Sequence, residues 1–303
     1  RSLKTDPEDS EAKPLYPTRV LLPLESQYTL EETRVHDLLS QYTKSRMETV
    51  SGSRFAFGAE FVHSLLKKRL FSSPMAFAGT LAKHKESLEN PGPRKKGSDD
   101  RNERILYNAV MKAREHSSDE EAESRIDEAL ETVGETVPPP TDEQRRMLDE
   151  LTAWAESVKN DVDSKGAAIL KWLEEHLKPD GSWNDKRAIL FTEYRTTLAW
   201  LQQILASRGY GGDRLAIMHG GVDSRERETI KAAFQADASV SEVRILLATD
   251  AASEGIDLQN HCNYLLHVEI PWNPNVMEQR NGRIDRHGQK ASRVYIWHPV
   301  GKA

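Results

Sequence analysis

Val243-Arg244-Ile245-Leu246-Leu247-Ala248-Thr249 is a short, nearly continuous apolar run, and Asp250-Ala251-Ala252-Ser253-Glu254-Gly255-Ile256-Asp257-Leu258-Gln259 follows it with small, hydroxyl and carboxylate residues. A strand that shows no polar face is one covered on both sides, as in a parallel sheet. The neighbouring sequence repeats the pattern. Strand-like Arg187-Ala188-Ile189-Leu190-Phe191-Thr192 and Arg214-Leu215-Ala216-Ile217-Met218-His219 lie upstream, and Tyr264-Leu265-Leu266-His267-Val268 and Val294-Tyr295-Ile296-Trp297 lie downstream. Helical spacing marks Lys165 to Leu177, Leu198 to Leu205, Ser224 to Phe234 and Asn275 to about Arg286. Short strands alternating with helices predict an α/β fold, a parallel sheet with helices on both faces, whose ligands bind at the carboxyl ends of the strands.

Toward the N-terminus, Arg19-Val20-Leu21-Leu22-Pro23-Leu24 reads as a strand closed by proline. Leu30, Val35, Leu38, Leu39 and Tyr42 fall near one helical face, and Phe61, Leu65, Leu66 and Leu70 repeat the spacing. Ser72-Ser73-Pro74 places a cap before a proline suited to a first helical turn, which predicts a helix through Met75, Phe77, Leu81 and Leu88. Asn90-Pro91-Gly92-Pro93-Arg94-Lys95-Lys96-Gly97-Ser98 then combines breakers with charge. Arg94-Lys95-Lys96 reads either as a solvated loop or as a phosphate contact. Between Glu115 and Glu131 stand eight Asp or Glu against one Arg, and Pro138-Pro139-Pro140 ends the segment. After it, Thr141 with Gln144 makes a capping pair. The expected organisation is 1–89 as a strand and helices packing on a lobe, 90–140 as a charged insertion or mobile arm, and 141–303 as the sheet-bearing lobe.

Composition excludes several classes. The 303 residues carry 42 Lys+Arg and 48 Asp+Glu, a net charge of −6. No stretch approaches the roughly 18 apolar residues of a membrane span, and Arg1-Ser2-Leu3-Lys4-Thr5-Asp6 opens no signal peptide. The single cysteine, Cys262, excludes an internal disulfide and a cysteine zinc site, and suits a reducing, cytoplasmic setting. It reads as a small buried residue rather than a nucleophile. The acidic balance disfavours a general nucleic-acid coat but leaves room for a local basic groove. The absence of an initiator Met points to a fragment.

Three loops carry chemistry. Met218-His219-Gly220-Gly221 lets backbone approach a ligand before a helix N-terminus, or is simply a turn. In Thr249 to Gln259, Thr249 and Ser253 can bond phosphate or backbone, Gly255 can admit a ligand and Asp257 can accept from a ribose hydroxyl; a capped short helix using Asp250 and Ser253 is the plainer alternative. In Glu278-Gln279-Arg280-Asn281-Gly282-Arg283-Ile284-Asp285-Arg286-His287-Gly288-Gln289, Arg283 and Arg286 stand three apart, so a helix would aim both guanidinium forks to one side. Gly282 marks close packing or a helix break.

The last of these resembles motif VI of superfamily 2 helicases in its Swi/Snf-type version. Pro271-Trp272-Asn273-Pro274 resembles the family's Trp-Asn-Pro element. Ile189-Leu190-Phe191-Thr192-Glu193-Tyr194 resembles motif IV, Met218-His219-Gly220-Gly221 the following His-Gly element, and Thr249 to Gln259 motif V, all in family order across roughly residues 165–300. Within the family the likeness is to the bacterial, RapA-like branch, and Lys68-Arg69-Leu70-Phe71-Ser72-Ser73-Pro74 resembles the Swi/Snf-like helicase of DISARM phage defence. Ile256-Asp257 replaces the Leu-Asn of many eukaryotic members of the family, and Glu269 stands where an Asp is usual.

The resemblance implies a RecA-like C-terminal lobe sharing an ATP site with an N-terminal RecA-like lobe. It implies Arg283 and Arg286 as arginine fingers; Gly255, Asp257, Gln279 and Arg280 near the nucleotide; and Thr192, His219, Gly220, Thr249 and Trp272 facing nucleic acid. The chain has no Gly-x-x-x-x-Gly-Lys-Ser/Thr loop and no Asp-Glu-Ala-His-like magnesium carboxylate. ATP and Mg²⁺ are therefore expected to need the other lobe, and this chain alone is expected to be inactive. The implied function is an ATPase that translocates on double-stranded DNA, with defence-system or transcription proteins as further partners. A docking module working through residues 90–140, and a lobe acting on RNA, stand as alternatives.

Overall fold

The computed structural model describes residues 16–53, 55–90, 104, 107–108, 119–250, 257–271 and 273–302. They fall into two units, 16–27 with 162–302, and 28–161.

Among the described residues the first unit is built on six parallel strands in the order β1-β6-β5-β2-β4-β3. These are β1 (Thr18–Gln27), β2 (Ala188–Thr192), β3 (Leu215–Met218), β4 (Ile245–Thr249), β5 (Tyr264–His267) and β6 (Arg293–Lys302). Every residue of β2, β4 and β5 is buried, as a parallel sheet covered on both faces requires. Ile189, Phe191, Leu246, Ala248, Leu265, Val294 and Ile296 alternate along their strands into one apolar layer with Phe234 and Ile284.

β1 supplies the outer strand beside β6, running in register from Thr18 opposite Arg293 to Gln27 opposite Lys302. Pro23 does not close this strand. It sits inside it, which an edge strand tolerates because no second neighbour needs the missing N–H.

Helices of the second unit include α1 (Leu30–Val50), α2 (Ala56–Ser72), α3 (Pro74–Glu89), α4 (Asp119–Thr136) and α5 (Asp142–Val158). Those of the sheet unit are α6 (Ser164–Leu177), α7 (Arg195–Ser207), α8 (Ser224–Gln235) and α9 (Pro274–Asn281). The Ser73 hydroxyl accepts from Ala76 N–H ahead of Pro74, and Thr141 with Gln144 forms a reciprocal capping box, so both predicted helix starts are present. α3 packs against α2, α4 and α5, burying Phe77 and Leu81. The acidic stretch read as a charged insertion or arm contains α4, whose Ile126, Ala129, Leu130 and Val133 are buried. Gly134 allows the close approach to α3: a Cβ there would meet the Ser87 carbonyl oxygen at 2.2 Å. Arg94-Lys95-Lys96 lies outside the described residues.

α9 is shorter than the spacing predicts. It ends at Asn281 with Gly282 as its cap, and residues 282–288 continue as turns, so Gly282 marks a helix break. Arg283 and Arg286 thus stand on a turn rather than on a helix. Among the described residues no helix is long and apolar enough to cross a membrane.

Candidate nucleotide and nucleic-acid site

The carboxyl ends of β2, β4 and β5 converge on a buried polar cluster. β2 ends at Thr192, paired with Thr249 at the end of β4, and both threonines are fully buried. The Thr192 hydroxyl donates to Glu269 Oε1 at 2.8 Å, and the Glu193 N–H donates to the same oxygen at 2.5 Å. Burial pushes the Glu269 carboxyl above its usual range, opposed by the charges of Lys165 and Arg280. The Lys165 ammonium, on the first turn of α6, is pushed down by burial and held up by Asp163 and Glu269.

Arg280 is the hub of the cluster and is 1 % exposed. Its Nε donates to Asp250 Oδ1 at 2.5 Å and its Nη2 to Asp250 Oδ2 at 2.7 Å, a two-point carboxylate contact. Its Nη1 reaches the Glu269 carbonyl oxygen at 3.1 Å, and the guanidinium lies 5.6 Å from the Phe191 ring centroid. Burial works against this charge, but the Asp250 contact more than offsets it and the pKa stands above its ordinary value. Behind Arg280, His267 Nε2 hydrogen-bonds with Asn281 Oδ1 at 2.9 Å, and burial pushes the imidazole down to about 3.

After α9 the chain folds back on the loop that follows β4. The Arg283 carbonyl accepts from Leu258 N–H at 3.3 Å, and Arg286 Nη1 donates to Asp257 Oδ1. Arg283 and Arg286 are both half-buried, and Gln279 is exposed. Gly288 holds φ +86°, a conformation that fits glycine and lets the turn close beside Gln259. The turn is also tied to the sheet edge, because Arg19 of β1 donates to Asp285 Oδ2 at 2.7 Å and to Glu278 Oε1 at 2.8 Å.

His219 and Gly220 are half-buried in the turn after β3, where Val222 N–H donates to the His219 carbonyl at 3.0 Å and Gly221 N–H to its Nδ1 at 3.1 Å. Gly255 and Trp272 lie outside the described residues.

The structure therefore brings Asp257, Arg283 and Arg286 together, and it joins Thr192, Asp250, Glu269 and Arg280 through a second set of contacts. The roles of Lys165, His267, Arg19 and Asp285 carry no local sequence signal. Glu269 shows in the sequence only as a departure from the family pattern.

Residues 168–288 match the model of the helicase conserved C-terminal domain. The chain is 36% identical over 118 residues to the "Uncharacterized ATP-dependent helicase YqhH" of Bacillus subtilis (strain 168), a match covering 39% of this chain and 19% of that protein. It is 33% identical over 121 residues to the RNA polymerase-associated protein RapA of Vibrio vulnificus (strain YJ016), covering 40% of this chain and 12% of that protein. The matched part thus spans less than a fifth of either relative's length. The solved C-terminal part of the Fun30 ATPase domain superposes with a TM-score of 0.52 at 15% identity, covering 95% of this chain and 86% of that one, which shows a shared fold.

Proposed function

We propose that the sheet unit, whose residues 168–288 match the helicase conserved C-terminal domain, is the C-terminal RecA-like lobe of a Swi/Snf-like superfamily 2 helicase, and that the intact protein is an ATP-dependent motor on double-stranded DNA to which this lobe brings two arginine fingers. The observation that carries the reading is the turn after α9: Arg283 and Arg286 are fastened through Leu258 and Asp257 to the loop leaving β4, at the ligand-binding end of the sheet.

The donor set fits a nucleoside triphosphate. Guanidinium is always charged and matches phosphate oxygens in pairs. Both arginines are half-buried, which suits groups that meet a ligand held by a facing lobe. Asp257 offers a half-exposed carboxylate of the kind that accepts from a ribose hydroxyl. ATP, when bound, supplies the phosphoryl group whose hydrolysis drives the motor. In this reading Arg283 and Arg286 would hold the charge on its terminal phosphate, Arg286 giving up its contact with Asp257 when the nucleotide binds and leaving that carboxylate for the ribose, and Mg²⁺ would be held by an N-terminal RecA-like lobe of the same protein. On the DNA side this reading keeps His219 and Gly220, with Trp272 assigned by the family resemblance alone; Thr192 and Thr249, expected to face nucleic acid, are fully buried and so support that side from behind rather than touch the polymer.

Steady-state ATP hydrolysis by the full-length protein, measured alone and with duplex DNA, single-stranded DNA or RNA, tests the reading. Stimulation by duplex DNA that falls steeply with salt is expected, because the contacts are to phosphate. Stimulation by RNA alone would move the track to RNA, and no hydrolysis with any polymer would overturn the motor.

Anti-phage defence is the setting we propose from the likeness of residues 68–74, with transcription proteins, in keeping with the RapA relative, as alternative partners. Expressing the complete gene with its neighbours should lower phage plating; identical plating with and without it would remove the defence assignment.

A further inference from the structure

Glu269 is a buried carboxylate for which the proposed motor chemistry has no use. Its side chain and its main chain point to different parts of the site. Through Oε1 it takes the Thr192 hydroxyl and the Glu193 N–H at the exit of β2, and the Thr192 oxygen in turn accepts from Tyr194 N–H at 3.4 Å, ahead of α7. Through its carbonyl oxygen it takes Arg280 Nη1, and Arg280 holds Asp250 at the exit of β4 by both carboxylate oxygens. One residue therefore joins the exits of β2, β4 and β5, and α9 ends one residue beyond Arg280, where the arginine turn begins. Lys165 supplies an opposing buried charge.

We propose that Glu269 is a positioning residue that makes these three exits one mechanical piece, so that a change at the β2 exit is passed through Arg280 to the turn holding Arg283 and Arg286. The proposal rests on the motor reading for its consequence, that polymer contact is converted into finger placement, but not for its structural content. A purely local role would stiffen the β2 turn and leave the arginine turn untouched.

Amide hydrogen exchange in the full-length protein separates the two. In Glu269→Ala, exchange should accelerate by about tenfold or more at Glu193 and Tyr194 and also at Arg283, Ile284 and Asp285, whose N–H groups bond to the carbonyls of Arg280 and Asn281. Acceleration confined to Glu193 and Tyr194 overturns the proposal. Turnover supplies the second readout: duplex-stimulated kcat should fall by about tenfold while DNA-free turnover and the KM for ATP stay within about twofold, and an equal fall in stimulated and DNA-free rates overturns it. Glu269→Gln, whose amide oxygen takes the same two donors, should keep both readouts within about twofold of wild type; a loss as large as that of alanine contradicts the positioning role. If Glu269→Ala does not fold, Glu269→Leu removes the acceptor at similar volume and carries the same expectations. Failure of wild-type protein to respond to duplex DNA would sink the motor reading, while the exchange pattern still decides whether Glu269 couples the two turns.

Discussion

Replacing Arg280 by alanine should destabilise the sheet unit rather than simply weaken nucleotide contact. The substitution removes a guanidinium that is 1 % exposed, two hydrogen bonds of 2.5 and 2.7 Å to Asp250 and one of 3.1 Å to the Glu269 carbonyl. Breaking a buried ion pair by deleting one partner costs roughly 3–5 kcal/mol, because the remaining charge is left uncompensated. Asp250 is 27% exposed and regains some water, which places the expectation near the lower end, about 3 kcal/mol. For a domain of this size each kcal/mol moves Tm by about 2–4 °C, so Tm should drop by about 6–12 °C. Arg280→Lys keeps the charge but loses the planar fork, and should fall between wild type and alanine. Thermal and urea unfolding followed by circular dichroism measure both. An Arg280→Ala protein within about 1 kcal/mol of wild type would refute the argument that this arginine is a structural hub.

Gly134→Ala should cost more than about 2 kcal/mol in urea unfolding, since its Cβ would meet the Ser87 carbonyl oxygen at 2.2 Å; an unchanged midpoint would mean that α4 does not pack on α3. Burial pushes the Cys262 thiol up to about 12, so at pH 8 it should react with a maleimide about a thousandfold more slowly than an exposed thiol until the protein is unfolded, and fast native labelling would contradict its burial. Burial pushes His63 down to about 4 and His84 down to about 3. Both are neutral in the folded and unfolded chain above the ordinary value near 6.5, so their contribution is complete there. As pH falls below it only the unfolded chain takes up protons, and stability should drop by about 1.4 kcal/mol per pH unit for each histidine until the folded values are reached. Urea midpoints that stay flat from pH 6 to about 4.5 would contradict this.

The strands of the sheet were legible because their apolar runs are short and bounded: β2, β4 and β5 lie inside the predicted segments, each shorter by only one or two residues. Helix starts were equally legible where a cap chemistry fixes them, as at Ser73 and Thr141. Two readings failed for tertiary reasons. Pro23 looked like a terminator, but edge position removes the need for its N–H. The spacing of residues 275–286 suited one helix, but Gly282 ends it and the chain turns back toward Leu258.

At the site, the family motifs located the loops, but not how they are tied. Arg280 and Asp250 are thirty positions apart, and Thr192 and Glu269 seventy-seven, so nothing in local spacing announces either contact. Lys165 sits at a helix start, where a solvated lysine is the ordinary expectation, and only the packing of α6 in the sheet unit buries it.

The most direct measurement is duplex-stimulated ATP turnover by the full-length protein with Arg283 and with Arg283→Ala, each checked for an unchanged Tm. A finger arginine contributes about 10³ to 10⁵ in rate, or roughly 4–7 kcal/mol of barrier. Turnover should therefore fall by at least about a thousandfold while the folded state is retained. A fall of less than about tenfold in a fully folded protein would contradict it, because Arg283 would then not be stabilising the charge that develops on the phosphoryl group.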